Sequence, residues 1–185
     1  MISKEVDRMR SIGSKLVVGI SALLLLTSMA VAFPNDQQAL SNQVRKELVT
    51  LPYYGVFDNL AYEINGGTVT LTGQVVKPVT KSDAEHRVAK IPGVEQVVNK
   101  IEVLPLSPID NGIRLRTYRA VFSTGGLYRY AMGAVPSIHI IVDSGHVTLD
   151  GVVSSKEDSE LAYMAANRVP GVFSVTNNLR IEGSK

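Results

Sequence analysis

The stretch Gly67-Thr68-Val69-Thr70-Leu71-Thr72-Gly73 decides how this chain is read, because it returns as Gly145-His146-Val147-Thr148-Leu149-Asp150-Gly151. Working outward, Ile91-Pro92-Gly93-Val94 is matched by Val169-Pro170-Gly171-Val172. Val97-Val98-Asn99-Lys100-Ile101 is matched by Val175-Thr176-Asn177-Asn178-Leu179. Gly67 and Gly145, Gly73 and Gly151, Pro92 and Pro170, and Asn99 and Asn177 each stand 78 positions apart. No gap is needed anywhere between Ile64 and Val103. The chain is therefore a tandem duplication, and one copy teaches the plan of both.

In the first copy, Leu40, Val44, Leu48 and Leu51 recur at helical spacing, and Pro52 stops that helix. Leu60, Tyr62 and Ile64 then alternate as in a half-buried strand. Asn65-Gly66-Gly67 supplies a hairpin turn, and Val69, Leu71, Gly73 and Val75 point inward on the return strand. Ser82 with Glu85 fits a capping box that opens a second helix with Ala84, Val88 and Ile91 on its buried side. Pro92-Gly93 ends it, and Val97, Ile101 and Val103 make a third strand. The second copy repeats this with a helix Ile113–Ser123, a strand Ile138–Val142, a turn at Asp143-Ser144-Gly145 and a helix Ser155–Val169. The expected fold is α+β: two tandem α-β-β-α-β units, each with two helices packed on one face of a three-stranded mixed sheet. The units span 35–104 and 113–183, joined by a short Pro-containing linker, 105–112.

This ordered set of motifs, present twice, resembles the BON domain (bacterial OsmY and nodulation). The resemblance covers nearly all of the chain beyond residue 35. It implies an envelope protein, of a kind described as binding membrane phospholipid or as a periplasmic stress and chaperone-like module. In a related two-BON outer-membrane lipoprotein the second unit is the one that contacts anionic lipid.

The 185 residues include no cysteine, which excludes disulfides, thiolate metal sites, a cysteine nucleophile and an acylated N-terminal cysteine. Residues 1–32 read as a signal peptide. Lys4, Arg8, Arg10 and Lys15 form a basic start, an apolar run centres on Leu23–Leu26, and Ala30-Val31-Ala32 fits a cleavage site. The uncharged run Leu16–Phe33 is at the short edge for a bilayer span, so a retained anchor is the rival reading. Without residues 1–32 the chain carries 15 basic and 15 acidic residues, so no global attraction to nucleic acid or membrane follows from charge. The expected location is periplasmic or secreted, and at most peripheral to a membrane.

Catalytic and cofactor motifs are missing: no G-x-S-x-G, P-loop, G-x-G-x-x-G or H-E-x-x-H is present. Glu157, Asp158 and Glu160 fall in the first turns of a helix, where acidic residues suit the helix dipole. Of the histidines, His86 lies beside a helix stripe, His139 falls on the outward parity of a strand, and His146 follows a turn. They lack the further ligands a metal needs. No enzyme, metal or cofactor is expected. The glycines read as backbone devices: Gly67 and Gly145 at turns, Gly93 and Gly171 at helix ends, and Gly73 and Gly151 where a helix comes close to a strand. Asn99 and Asn177, inward on the last strand, are expected to tie a neighbouring loop through side-chain hydrogen bonds.

One segment stands apart. Between Asp110 and Asp143 there is no acidic residue, and Arg114, Arg116, Arg119 and Arg129 are interleaved with Tyr118, Phe122, Tyr128 and Tyr130. On a helix, Leu115, Tyr118 and Phe122 would form the buried stripe, with Arg116 and Arg119 on one flank and Arg114 on the other. Arginine forks suit phosphates, and tyrosine suits a lipid–water boundary. Arg114, Arg116, Tyr118, Arg119, Tyr128 and Arg129 are thus the candidate site for anionic phospholipid. The alternative is a soluble periplasmic protein that binds other envelope proteins in a stress or chaperone-like role, without nucleic acid as a partner in either case.

Overall fold

Helix α1 (Pro34–Val49) opens the first repeat in the computed structural model, which describes residues 34–183. The expected signal peptide lies outside the described residues. Strands β1 (Asn59–Asn65) and β2 (Thr68–Val75) follow as an antiparallel hairpin. Helix α2 (Pro78–Val88) returns the chain so that β3 (Gln96–Asn99) and β4 (Glu102–Val103) both run parallel to β2. The expected third strand thus comes in two pieces. The alternation places Val69, Leu71 and Val75 on the inner face, all fully buried with Val44, Leu48, Ala84 and Val88 from the helices. Each such aliphatic side chain removed from water contributes about 1.5–3 kcal/mol.

The second repeat has the same plan. Helix α3 (Pro108–Phe122) precedes a short 3-10 helix (Leu127–Ala131), then β5 (Ile138–Asp143), β6 (His146–Val153), α4 (Lys156–Asn167) and β7 (Ser174–Ile181). The sheet order is β5-β6-β7, with β5 antiparallel and β7 parallel to β6. Its core joins Ile113 and Val121 of α3, Ile138, Ile140, Val147 and Leu149 of the strands, and Ala162 and Ala166 of α4.

Two helices begin earlier than the sequence suggests. Helix α2 starts at Pro78, whose fixed φ and missing N–H suit a first helical turn. Ser82 therefore sits inside the helix, its hydroxyl on the Pro78 carbonyl, and no capping box forms. Helix α3 starts at Pro108 with Ser107 as its cap, the Ser107 Oγ accepting from Asp110 N–H at 3.1 Å. Most of the expected linker is thus the first turn of α3. The Gly-rich stretch after α3 is also ordered into the core, with Leu127 fully buried and Tyr130 nearly so.

The asparagines on the last strands act as foreseen, except that they reach a helix rather than a loop. Asn99 Nδ2 donates to the Lys81 carbonyl at 3.0 Å, and Asn177 Nδ2 donates to the Ser159 carbonyl at 3.3 Å. These acceptors are themselves 78 positions apart, so both repeats tie the second helix to the last strand by one device.

Both repeats belong to one compact unit. The segment from Tyr54 to Asp58 leaves the first sheet and lies on the second. The Val56 carbonyl accepts from Ile140 N–H at 2.7 Å, which fills part of the open edge of β5. Phe57 packs edge-on to Tyr118 with ring centroids 6.2 Å apart. This contact buries part of the outer face of the sheet: His139, on the outward parity of β5, is only 8% exposed because Tyr54 and Gly55 cover it.

Candidate functional site

The arginine-rich segment does not present its cations as one patch. Helix α3 turns Ile113, Arg114, Thr117, Val121 and Phe122 inward. Of the expected stripe, Phe122 is buried and Tyr118 packs against the core, but Leu115 is half exposed and Arg114 is buried in its place. Arg114 is 2% exposed and is not a surface residue. Its Nη2 donates to the Val142 carbonyl and its Nη1 to Asn111 Oδ1, both at 2.7 Å, and its Nε has no partner. Burial lowers its pKa, against the pull of Asp110, Asp58 and Asp143. Arg114 also lines a cleft of about 430 Å³ between the repeats, shared with Phe57, Lys77 and Leu115.

Arg129 is held in place by its neighbours. Its guanidinium pairs with Asp158, bonds the Gly126 carbonyl at 2.9 Å, and lies 4.6 Å from the centre of the Tyr130 ring. Asp158, in the first turn of α4, is 7% exposed. The Tyr130 hydroxyl, 2.7 Å away, and then Arg129 hold its carboxyl below the usual range. Tyr118 is packed between Phe57 and Phe122, while Tyr128 stands 62% exposed.

Arg116 and Arg119 remain on the outer face of α3, one turn apart. Arg116 Nη2 donates to the Pro170 carbonyl at 3.1 Å, which ties α3 to the loop between α4 and β7. Beside these cations the structure exposes apolar side chains that the sequence pattern did not single out. Ile109, seven residues before Arg116 on the same helical face, is 73% exposed, and Phe173, in the loop that Arg116 bonds, is 78% exposed. Large apolar side chains left in water beside arginines form a surface with two chemistries, apolar contact and anion attraction. The sequence signal that could have found Phe173 is its counterpart in the first repeat, Glu95, whose charge marks the position as exposed.

The glycines are placed at turns, helix ends and strand interiors as expected, with one change of cause. Gly66, Gly93, Gly145 and Gly171 have positive φ, whereas Gly67 faces the Glu95 side chain. Gly73 and Gly151 also have positive φ, but the group that crowds each is a backbone carbonyl, of Asn59 and Ser137, and not a helix. His146 Nδ1 is 2.7 Å from Ser174 Oγ, and His86 is exposed. Among the described residues no cluster of three or more His, Cys, Asp or Glu could hold a metal ion. No helix among them is long and apolar enough to cross a membrane.

The BON domain family model matches residues 36–105 and 131–183, one segment in each repeat. Residues 106–130, which carry α3 with Arg116 and Arg119, fall between the two segments. No curated protein matches the sequence. Among solved structures, the chain is similar to CdsD, a structural protein of the type III secretion system of Chlamydia trachomatis, at 11% identity. The match covers 78% of this chain and 94% of that one, with a TM-score of 0.30. A second structure, of the C-terminal domain of CdsD, is 10% identical over 77% of this chain and 96% of that one, with a TM-score of 0.28. Superpositions this loose establish no shared architecture. The family match and the two α-β-β-α-β repeats agree, and the chain belongs to the BON-domain family, generally non-catalytic proteins of the cell envelope and its stress responses.

Proposed function

We propose that this protein is exported and associates weakly with anionic phospholipid at the cell envelope through the outer face of α3 and the adjoining α4–β7 loop. The observation that carries the reading is the exposure of Arg116 and Arg119 beside Ile109 and Phe173, in a segment without acidic residues from 111 to 142. The arginines meet phosphate, and the apolar side chains enter the boundary between headgroups and acyl chains. Arg114 and Arg129 are no part of this contact, because the fold already uses them.

Two free arginines near an anionic surface contribute about 1 kcal/mol each. Reversing both therefore weakens binding by on the order of thirty-fold or more at low salt. The test is co-sedimentation of the protein with vesicles of phosphatidylcholine, alone or mixed with phosphatidylglycerol. Binding that requires phosphatidylglycerol, falls with salt and is lost in Arg116→Glu/Arg119→Glu supports the site. Equal binding by that variant refutes it. One observation favours a protein partner instead: β7 pairs only with β6 among the described strands, so its outer edge over residues 174–180 is placed for strand addition. Failure to bind any vesicle, with suppression of client aggregation, supports that second reading.

A further inference from the structure

The contact between the repeats has a titratable group at its centre. Tyr54 lies over His139 with ring centroids 5.5 Å apart, and His139 Nδ1 is 3.3 Å from the Gly55 carbonyl oxygen. Since a carbonyl only accepts, Nδ1 carries the proton in this pair, and Nε2 is the position that a second proton must take. Around the ring stand Tyr54 and Asp58 from the covering segment and Asp150 from β6. Two cations act at one remove, Arg114 of α3 on Asp58 and Arg180 of β7 on Asp150. The Asp58 carboxylate is occupied, accepting from Val76 N–H at 2.7 Å and Gly55 N–H at 2.9 Å, so it is not free to turn toward a charged imidazole. The remaining contacts are apolar: Val56 and Phe57 pack against the second core.

We infer that the segment Tyr54–Asp58 is an acid-sensitive latch between the two repeats, released when His139 takes up its second proton. Burial holds the imidazole pKa below its ordinary 6.5, outweighing the Gly55 and Asp58 backbone carbonyls and the Asp150 and Asp58 charges. The latched ring is therefore neutral, while an unlatched ring in water is protonated below that pH. The stabilisation is complete above pH 6.5, is lost as pH falls from there, and stops falling once the latched ring itself is protonated. Each pH unit between those two midpoints multiplies the unlatched population tenfold. Asp58 and Asp150 act in the opposite sense. Burial raises both from 3.8, so they favour the latched form in acid, over the range between 3.8 and their raised midpoints. The second proton on His139 loosens the latch in acid, and these two carboxylates oppose it. Release exposes Tyr54, Val56 and Phe57 and frees the edge of β5, an apolar surface and an open strand that exist only below neutral pH.

The test is amide exchange of the full-length protein by NMR at about pH 7.5 and about pH 5.5, each amide normalised to its intrinsic rate. The Ile140 amide, bonded to Val56, is expected to lose protection severalfold on acidification while the amides of the β6–β7 pairing keep theirs. The loss is expected to vanish in His139→Gln. Unchanged protection at Ile140, the same loss in His139→Gln, or loss across the whole second repeat overturns the inference. Should His139→Gln fail to fold, the wild-type ring itself decides: a His139 midpoint below the ordinary 6.5 is required, and one at or above it overturns the latch.

Discussion

Gly151 shows how little room a single position can leave. Its φ is 129°, a region that side chains rarely adopt, and an added Cβ would collide with the Ser137 carbonyl oxygen. Gly73 repeats the arrangement against the Asn59 carbonyl with a φ of 113°. Neither carbonyl can retreat, because each sits at the start of the strand paired with the glycine's own. Gly151→Ala is expected to cost at least about 2 kcal/mol from backbone strain and overlap together, read as a lower urea midpoint at constant slope. The sequence showed that these glycines mattered, since they repeat at the interval of the duplication, but not what crowds them. Arg114 was legible in the opposite way. Its charge suggested solvent, and its burial depends on the Val142 carbonyl, 28 residues away, together with Asn111. A partner that distant leaves no trace in the local pattern, and the flanking Leu115 was assigned to the core in its place.

At the level of elements, the β5–β6 hairpin depends on a residue from α3. Ser144 and Gly145 both take positive φ in its two-residue turn, 51° and 81°. The buried carboxylate of Asp110 accepts both of their N–H groups, at 3.1 and 2.9 Å. A left-handed serine is unfavourable by itself, and the carboxylate holds the turn that requires it. Asp110→Ala leaves the buried Gly145 N–H and the part-buried Ser144 N–H without that acceptor and is expected to cost about 2–3 kcal/mol, a fall in Tm of ~4–12 °C by calorimetry. Helices, strands and the hairpins themselves were legible from periodicity and turn residues. Helix starts were not, because Pro78 and Pro108 read equally well as linker residues and as first-turn residues. The candidate site was legible only in part. Arg116 and Arg119 were found by charge, Ile109 and Phe173 were missed, and Arg129 was misplaced because its partner Asp158 lies 29 residues away.

For the molecule as a whole, the two repeats meet through unlike surfaces: the segment after α1 in the first covers the strand that opens the sheet of the second. A contact of that kind does not close on itself. The duplication supplies its counterparts at both ends, Met132–Pro136 where the first repeat has Tyr54–Asp58, and Ala61, Tyr62 and Glu63 where the second has His139, Ile140 and Ile141. Ile141 is 5% exposed in the second repeat, whereas Glu63 is exposed in the first. Burying that carboxylate in a next contact would be costly, since nothing at Met132–Pro136 could pair with it. Glu63→Ile is expected to produce concentration-dependent association in sedimentation velocity, where the wild-type chain gives none through this surface. Head-to-tail joining of unlike faces is the geometry from which filaments grow, and Glu63 stands where a next contact of that kind would have to bury a charge.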